Sequence, residues 1–149
     1  MTKTYTQKGW SLASLYPSHD GPEIQSAFKD LETQTAEFEK KRPLLNASIS
    51  QKELLQVIQA LESLYRIAYR LSGYAELWFS ADTQNQSALG MVMRTEQLVS
   101  EIANRTLFFS LWWKDLPDKT ASPLMEGIGD YRYWLEEMRH FKPHTLSEP

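Results

Sequence analysis

Three histidines, His19, His140 and His144, are the side chains of this sequence most suited to hold a metal or pass a proton. His140 and His144 are four residues apart, the spacing at which two imidazoles on adjacent helical turns share a zinc ion. None of the three precedes a glutamate, so the His-Glu-x-x-His peptidase motif is absent from the chain. Phe141 stands where that motif carries its general base, and Pro143 lies between the pair where a helix would end. Glu137 and His140 form one Glu-x-x-His pair. A di-iron bundle needs two such pairs and two further glutamates, so a surface glutamate beside a helix-end histidine is the expectation.

Other chemistries fare no better. The chain has no cysteine, which removes thiol nucleophiles, thiolate metal sites and disulfides, and fits a reducing compartment. Its six glycines are scattered and build no phosphate-binding loop, and there is no Gly-x-Ser-x-Gly elbow. Ser18, His19 and Asp20 are contiguous, whereas a catalytic triad converges from separate elements, so the stretch reads as a turn. No catalytic residue and no metal ligand is assigned.

Aromatic residues remain: Trp10, Trp78, Trp112, Trp113, Trp134 and seven tyrosines. In Asp130-Tyr-Arg-Tyr-Trp134, aromatic rings flank an arginine, the composition of binding hot spots. Tyr131, Arg132, Tyr133, Trp112 and Trp113 are the candidates for a cleft or interdomain surface. Core and core rim are the alternative, which suits Trp134 best and stays open for Tyr131, Arg132 and Tyr133.

The 149 residues make one domain, or part of a larger one. A helical domain of this size can bury roughly 70% of the surface its unfolded chain exposes. With 42% hydrophobic and 23% charged residues the chain is expected to fold. A net charge of −3 argues against nucleic acid as a partner. The densest basic run, Lys40-Lys41-Arg42, sits where a helix ends, a favourable place for cations. Residues 1–10 lack the apolar stretch of a signal peptide, and the longest near-apolar run, 107–113, is far short of the ~20 residues that span a bilayer. A soluble, cytoplasmic protein with no membrane partner is expected.

Helices must position these residues, since strand signals are weak. An arm over residues 1–20 precedes a helical domain over 21–149. Ile24, Phe28, Leu31, Thr35 and Phe38 recur at helical spacing in a first helix, 23–41, which Pro43 stops. Ser50 and Glu53 form a capping box for a second, 51–79, with Gly73 inside it. Asp82 suits the cap of a third, running to 116, whose seam includes Thr95, Ile102, Thr106, Phe109 and Trp113. Ser122-Pro123 marks the start of a fourth, split by Gly127 and Gly129, with its clearer part at 130–139. The fold class is therefore all-α, an antiparallel bundle of about four helices, two of them long.

Two features point to an incomplete lobe of a larger architecture. Leu107 to Trp113 is apolar on every face of its helix and must be buried all round, which four helices struggle to provide. Thr145-Leu-Ser-Glu-Pro149 carries a helix-start signal at the very end of the chain.

Four segments carry a family resemblance. They are Trp10-x-Leu-x-x-Leu-Tyr-Pro-Ser-x-Asp20, Leu77-Trp-Phe-Ser-x-Asp-Thr-Gln-Asn-Gln86, Asn104-Arg-Thr-Leu-Phe-Phe-Ser-Leu-Trp-Trp113 and Asp130-Tyr-Arg-Tyr-Trp-Leu-Glu-Glu-Met-Arg-His-Phe-Lys-Pro-His-Thr-Leu-Ser-Glu148. Together they resemble the N-terminal region of oligoendopeptidase F proteins, zinc peptidases of the thimet-oligopeptidase-like group; the last segment is the most specific and the first the loosest. The resemblance implies a nearly all-helical, clam-shaped parent with a zinc site on His-Glu-x-x-His deep in its cleft. There zinc activates a water and the motif glutamate acts as general base. It implies that this chain is the non-catalytic N-terminal domain that narrows the cleft to short peptides. Its partner would then be the missing catalytic domain, with zinc bound only in the full-length parent. Through an uncovered apolar face it could also self-associate. The alternative from a different class is a stand-alone helical module that binds a partner helix in an aromatic groove.

Overall fold

The computed structural model describes residues 10–145, and among them every regular element is helical. Five helices occur: α1 (Pro22–Glu39), α2 (Gln51–Ala81), α3 (Gln86–Asp115), α4 (Asp118–Met125) and α5 (Tyr131–His140). Short 3₁₀ turns at Arg42–Leu44 and Lys142–His144 follow α1 and α5. The expected helix start at 147–149 lies outside the described residues, as does most of the first half of the expected arm.

Local chemistry accounts for most boundaries. Pro22 opens α1, where its missing N–H costs nothing. The capping box forms at α2: Ser50 Oγ accepts from the Glu53 N–H at 3.2 Å, and Glu53 accepts from the Ser50 N–H at 2.8 Å. That hydroxyl holds the Glu53 carboxyl below its ordinary pKa. Gly73 lies inside the unbroken α2, and no close neighbour accounts for it.

Two starts differ from expectation. Asn85, not Asp82, caps α3 by accepting from the Ala88 N–H at 3.1 Å. Asp82 ends α2 in extended backbone and accepts from the Gln84 N–H at 3.0 Å, closing the turn between the two helices. The fourth helix starts at Asp118 rather than Ser122, because the Pro117 carbonyl takes the first turn's N–H groups from Thr120 and Ala121. Pro123 thus lies within α4, a helix of only 8 residues. The expected split is present: Gly127 and Gly129, at φ 76° and 66°, adopt the left-handed backbone that separates α4 from α5.

α2 and α3 form the central pair, joined by a tight turn and meeting at Tyr65 and Thr106, whose hydroxyls are 3.3 Å apart. α1 covers one face of this pair. It runs parallel to α3, since Phe28 lies under Arg94 and Phe38 packs on Phe108 with ring centroids 5.3 Å apart. Ile24, Leu31, Thr35 and Phe38 of α1 are buried, and Phe28 is half-buried beneath the guanidinium. Arg105 of α3 fastens the same face, donating to Glu32 at 2.8 Å and to Glu39 at 2.7 Å. The buried hydroxyls of Thr35 and Thr106 donate back to the carbonyls of Leu31 and Ile102, so neither is left unsatisfied.

Before α1, Leu12 to Tyr16 forms a turn closed by the Leu15 and Tyr16 N–H groups on the Leu12 carbonyl. Tyr16 is buried edge-on against Tyr74, and Arg70 covers its ring at 4.8 Å. Trp10 is 87% exposed, so Tyr16 and not Trp10 anchors this segment.

On the opposite face of the pair lies α5. Trp113 Nε1 donates to the Leu135 carbonyl at 2.9 Å. Arg139 donates to the carbonyls of Trp113 at 2.6 Å and Leu116 at 2.7 Å, satisfying acceptors that the end of α3 would otherwise leave open. The end of α3 is better covered than its composition predicts: Phe108, Phe109 and Trp113 are buried, Leu111 and Trp112 are half-buried, and Leu107 alone of the apolar run is exposed. The turn after α1 and helix α5 supply that cover.

Candidate functional site

A helix 10 residues long cannot cover a central pair whose members have 31 and 30 residues. Beside α5 the α2–α3 face therefore stays open as a groove of about 590 Å³. One wall is α2, with Ile58, Leu61, Glu62, Tyr65 and Tyr69; the other is α3, with Ala103, Thr106, Leu107 and Ser110. Tyr131, Trp134 and Met138 of α5 close one end, over Phe109.

Helical spacing produces this face. On α2, Ile58, Glu62, Tyr65 and Tyr69 recur at intervals of three and four, beside the seam that faces α3. On α3, Ala103, Leu107 and Ser110 do the same. Tyr65 and Tyr69 stack with centroids 5.6 Å apart, and Trp134 lies parallel to Phe109 at 6.0 Å and 6°. Tyr69 is 63% exposed, Leu107 47% and Trp134 40%, so the groove presents large apolar side chains to solvent.

Among the described residues Glu62 is the one formally charged side chain lining the groove. It accepts from the Tyr131 hydroxyl at 2.7 Å and lies 3.7 Å from Arg66 one turn along α2. The bond to Glu62 favours the protonated phenol and raises the Tyr131 pKa.

The residues singled out in the sequence separate into three groups. Tyr131 lines the groove, while Arg132 pairs with Glu136 on its own helix and Tyr133 points to solvent, 71% exposed. Trp113 is no surface residue: it is fully buried, with its indole N–H bonded to the Leu135 carbonyl and Arg139 beside its ring. Trp112 is half-buried next to Phe109 and Trp113, and its indole nitrogen finds no acceptor among the described residues. The groove therefore unites Tyr131 with Trp134, Tyr65, Tyr69 and Leu107. Neither Tyr69 of this set nor Glu62, which lines the same groove, is singled out by the sequence pattern. The legible signal was an aromatic pair at i, i+4 flanking the buried stripe of α2 and sharing its outer edge with one acid.

His140 Nδ1 lies 3.3 Å from Glu137 on an exposed helix edge, and His19 stacks on Trp78 with centroids 4.3 Å apart. Among the described residues no three His, Asp or Glu side chains come together as a metal-binding group. The donor set here does not fit the zinc that the family resemblance implies. Among the same residues no helix is long and apolar enough to cross a membrane.

Comparison with family models, with curated proteins and with solved structures finds no match to this chain.

Proposed function

We propose that this chain is the N-terminal, non-catalytic helical domain of a cytoplasmic zinc-dependent oligoendopeptidase of the F type, shaping the cleft that admits short peptides. The four segments from Trp10 to Glu148 support the reading by resemblance. The observation that carries it is where the most specific of them falls. It supplies α5, the helix that half-covers the α2–α3 pair and leaves an aromatic groove open next to itself. An apolar helix face left in solvent is costly, and a catalytic domain packed there would remove that cost. On this reading the bundle of long helices is one lobe of a clam-shaped enzyme. Zinc belongs to the parent's His-Glu-x-x-His segment and not to this chain, which is inactive alone.

The source gene, read past Pro149 and expressed whole, tests the proposal. A downstream His-Glu-x-x-His and a peptidase activity lost on chelation and regained with zinc are expected. A frame that stops at Pro149, or peptide hydrolysis by the 149-residue chain itself with zinc, would sink it.

A second reading, a stand-alone helical module, is favoured by the same groove, since a trough between two long helices suits a partner helix. A frame that ends at Pro149 would make it the better one.

A further inference from the structure

A second cleft, of about 610 Å³, opens where the turn before α1 meets α1 and α2. Its two walls carry opposite charge. Glu23 and Asp30, two turns apart, stand on the α1 wall; Arg66 and Arg70, one turn apart, stand on the α2 wall. Tyr16 and Ile67 also line the cleft. Because α1 is parallel to α3, it is antiparallel to α2, so Glu23 lies toward Arg70 and Asp30 toward Arg66.

The walls do not neutralise each other. Among the described residues no ion pair crosses the cleft, and Glu23 has neither a hydrogen bond nor an ion pair. Asp30 accepts from Ser26 on its own helix at 3.3 Å. Arg66 comes only within 3.7 Å of Glu62, which already accepts from the Tyr131 hydroxyl at 2.7 Å. Arg70 is held in place: its Nη2 donates to the Leu15 carbonyl, and its guanidinium lies over the Tyr16 ring at 4.8 Å. Its Nη1 and Nε have no acceptor among the described residues, so an anchored arginine still offers donors to the cleft. Two cations at i, i+4 repel, and an anion between them relieves that cost.

We propose that this cleft binds a small zwitterion, a free amino acid or a short peptide with both ends ionised. Its carboxylate takes the open donors of Arg70 and Arg66, and its ammonium docks on Glu23 and Asp30. A ligand of one sign is disfavoured, since an anion also meets the two acids and a cation the two arginines. The site is built from this chain's own residues and stands independently of the peptidase reading.

Amide chemical shifts of the full chain, titrated with glycine, glycylglycine and triglycine, test this. Saturable shifts are expected at 13–17, 23–30 and 66–70. Tightest binding of glycine would assign a free amino acid as the ligand, and tightest binding of either peptide a short peptide. The N-acetyl and amide forms of the best probe, each lacking one charge, should bind about tenfold more weakly. Glu23→Gln and Arg66→Gln, both at exposed positions, should each weaken the uncapped probe about fivefold. The absence of saturable shifts with all three probes overturns the proposal. So do capped probes that bind as well as the uncapped one, or an affinity indifferent to both substitutions.

Discussion

The two faces of the α2–α3 pair are built from the same kinds of residue but finished differently. On one face α1 contributes 18 residues, about 27 Å of helix, with four buried side chains and an arginine clamp at its end. On the other, α5 contributes 10 residues, about 15 Å, and a single buried leucine, Leu135. The difference is one of cover rather than of composition. Leu107 and Phe108 are neighbours of similar apolarity, yet Phe108 points to α1 and is buried while Leu107 points past α5 and is exposed. A helix apolar all round reports that cover is needed on every side, and the length of each neighbour decides where it arrives.

The strongest contrast should come from truncating one large apolar residue on each face. Phe38→Ala on the α1 side is expected to cost about 3–5 kcal/mol in urea unfolding. Leu107→Ala in the groove should stay within about 0.5 kcal/mol of the parent sequence. Comparable losses would mean that the groove is closed in solution.

Arg139→Ala probes how α5 is held. It removes the donors to the Trp113 and Leu116 carbonyls and should cost about 1–3 kcal/mol. Faster amide hydrogen exchange in α5, with α1 unchanged, is the expected signature. Uniform acceleration would show that α5 is part of one cooperative unit with the α1 face.

Arg105→Met tests the clamp on the α1 face. Its carboxylate partners are largely exposed, so the loss at neutral pH should be about 1 kcal/mol or less. The Arg105 bond holds the Glu39 carboxyl below its ordinary pKa. A folded-state pKa below the unfolded one gives stability that is present above the unfolded value, about 4.3, and lost as pH falls through the folded value. The melting temperatures of the two proteins should therefore converge as pH drops below about 4. A gap that persists in acid would assign the effect to packing of the arginine stem.

The smallest effect is expected at Gly73, where a Cβ would meet nothing within 4 Å. Gly73→Ala should stabilise the chain by up to about 1 kcal/mol, read as a raised melting temperature. A loss would place an uncharted contact on the outer edge of α2.

How legible these faces were in the sequence follows from the range of the interactions. The α1 stripe, the Ser50–Glu53 capping box and the glycine break before α5 depend on neighbours a few residues away, and periodicity and turn chemistry revealed them. Asn85 displaced Asp82 as the cap because both are good caps and the turn between α2 and α3 decided which one faced the helix. Trp113 reads as a cleft candidate and Trp134 as better suited to the core, but the Leu135 carbonyl, on a different helix, commits Trp113 to the core and Trp134 is left 40% exposed. Glu62 was one acid among nineteen acidic residues until Tyr131, 69 positions away, came to lie beside it. Local order was readable, whereas a groove that needs three helices was not.

An apolar dye reports most directly on whether the α2–α3 pair keeps one open, partner-ready face. Nile red fluorescence should rise with the folded chain and fall sharply in Leu107→Glu, while the melting temperature of that variant stays close to the parent's. Dye binding that survives Leu107→Glu, or a folded chain that binds no dye, would contradict the account.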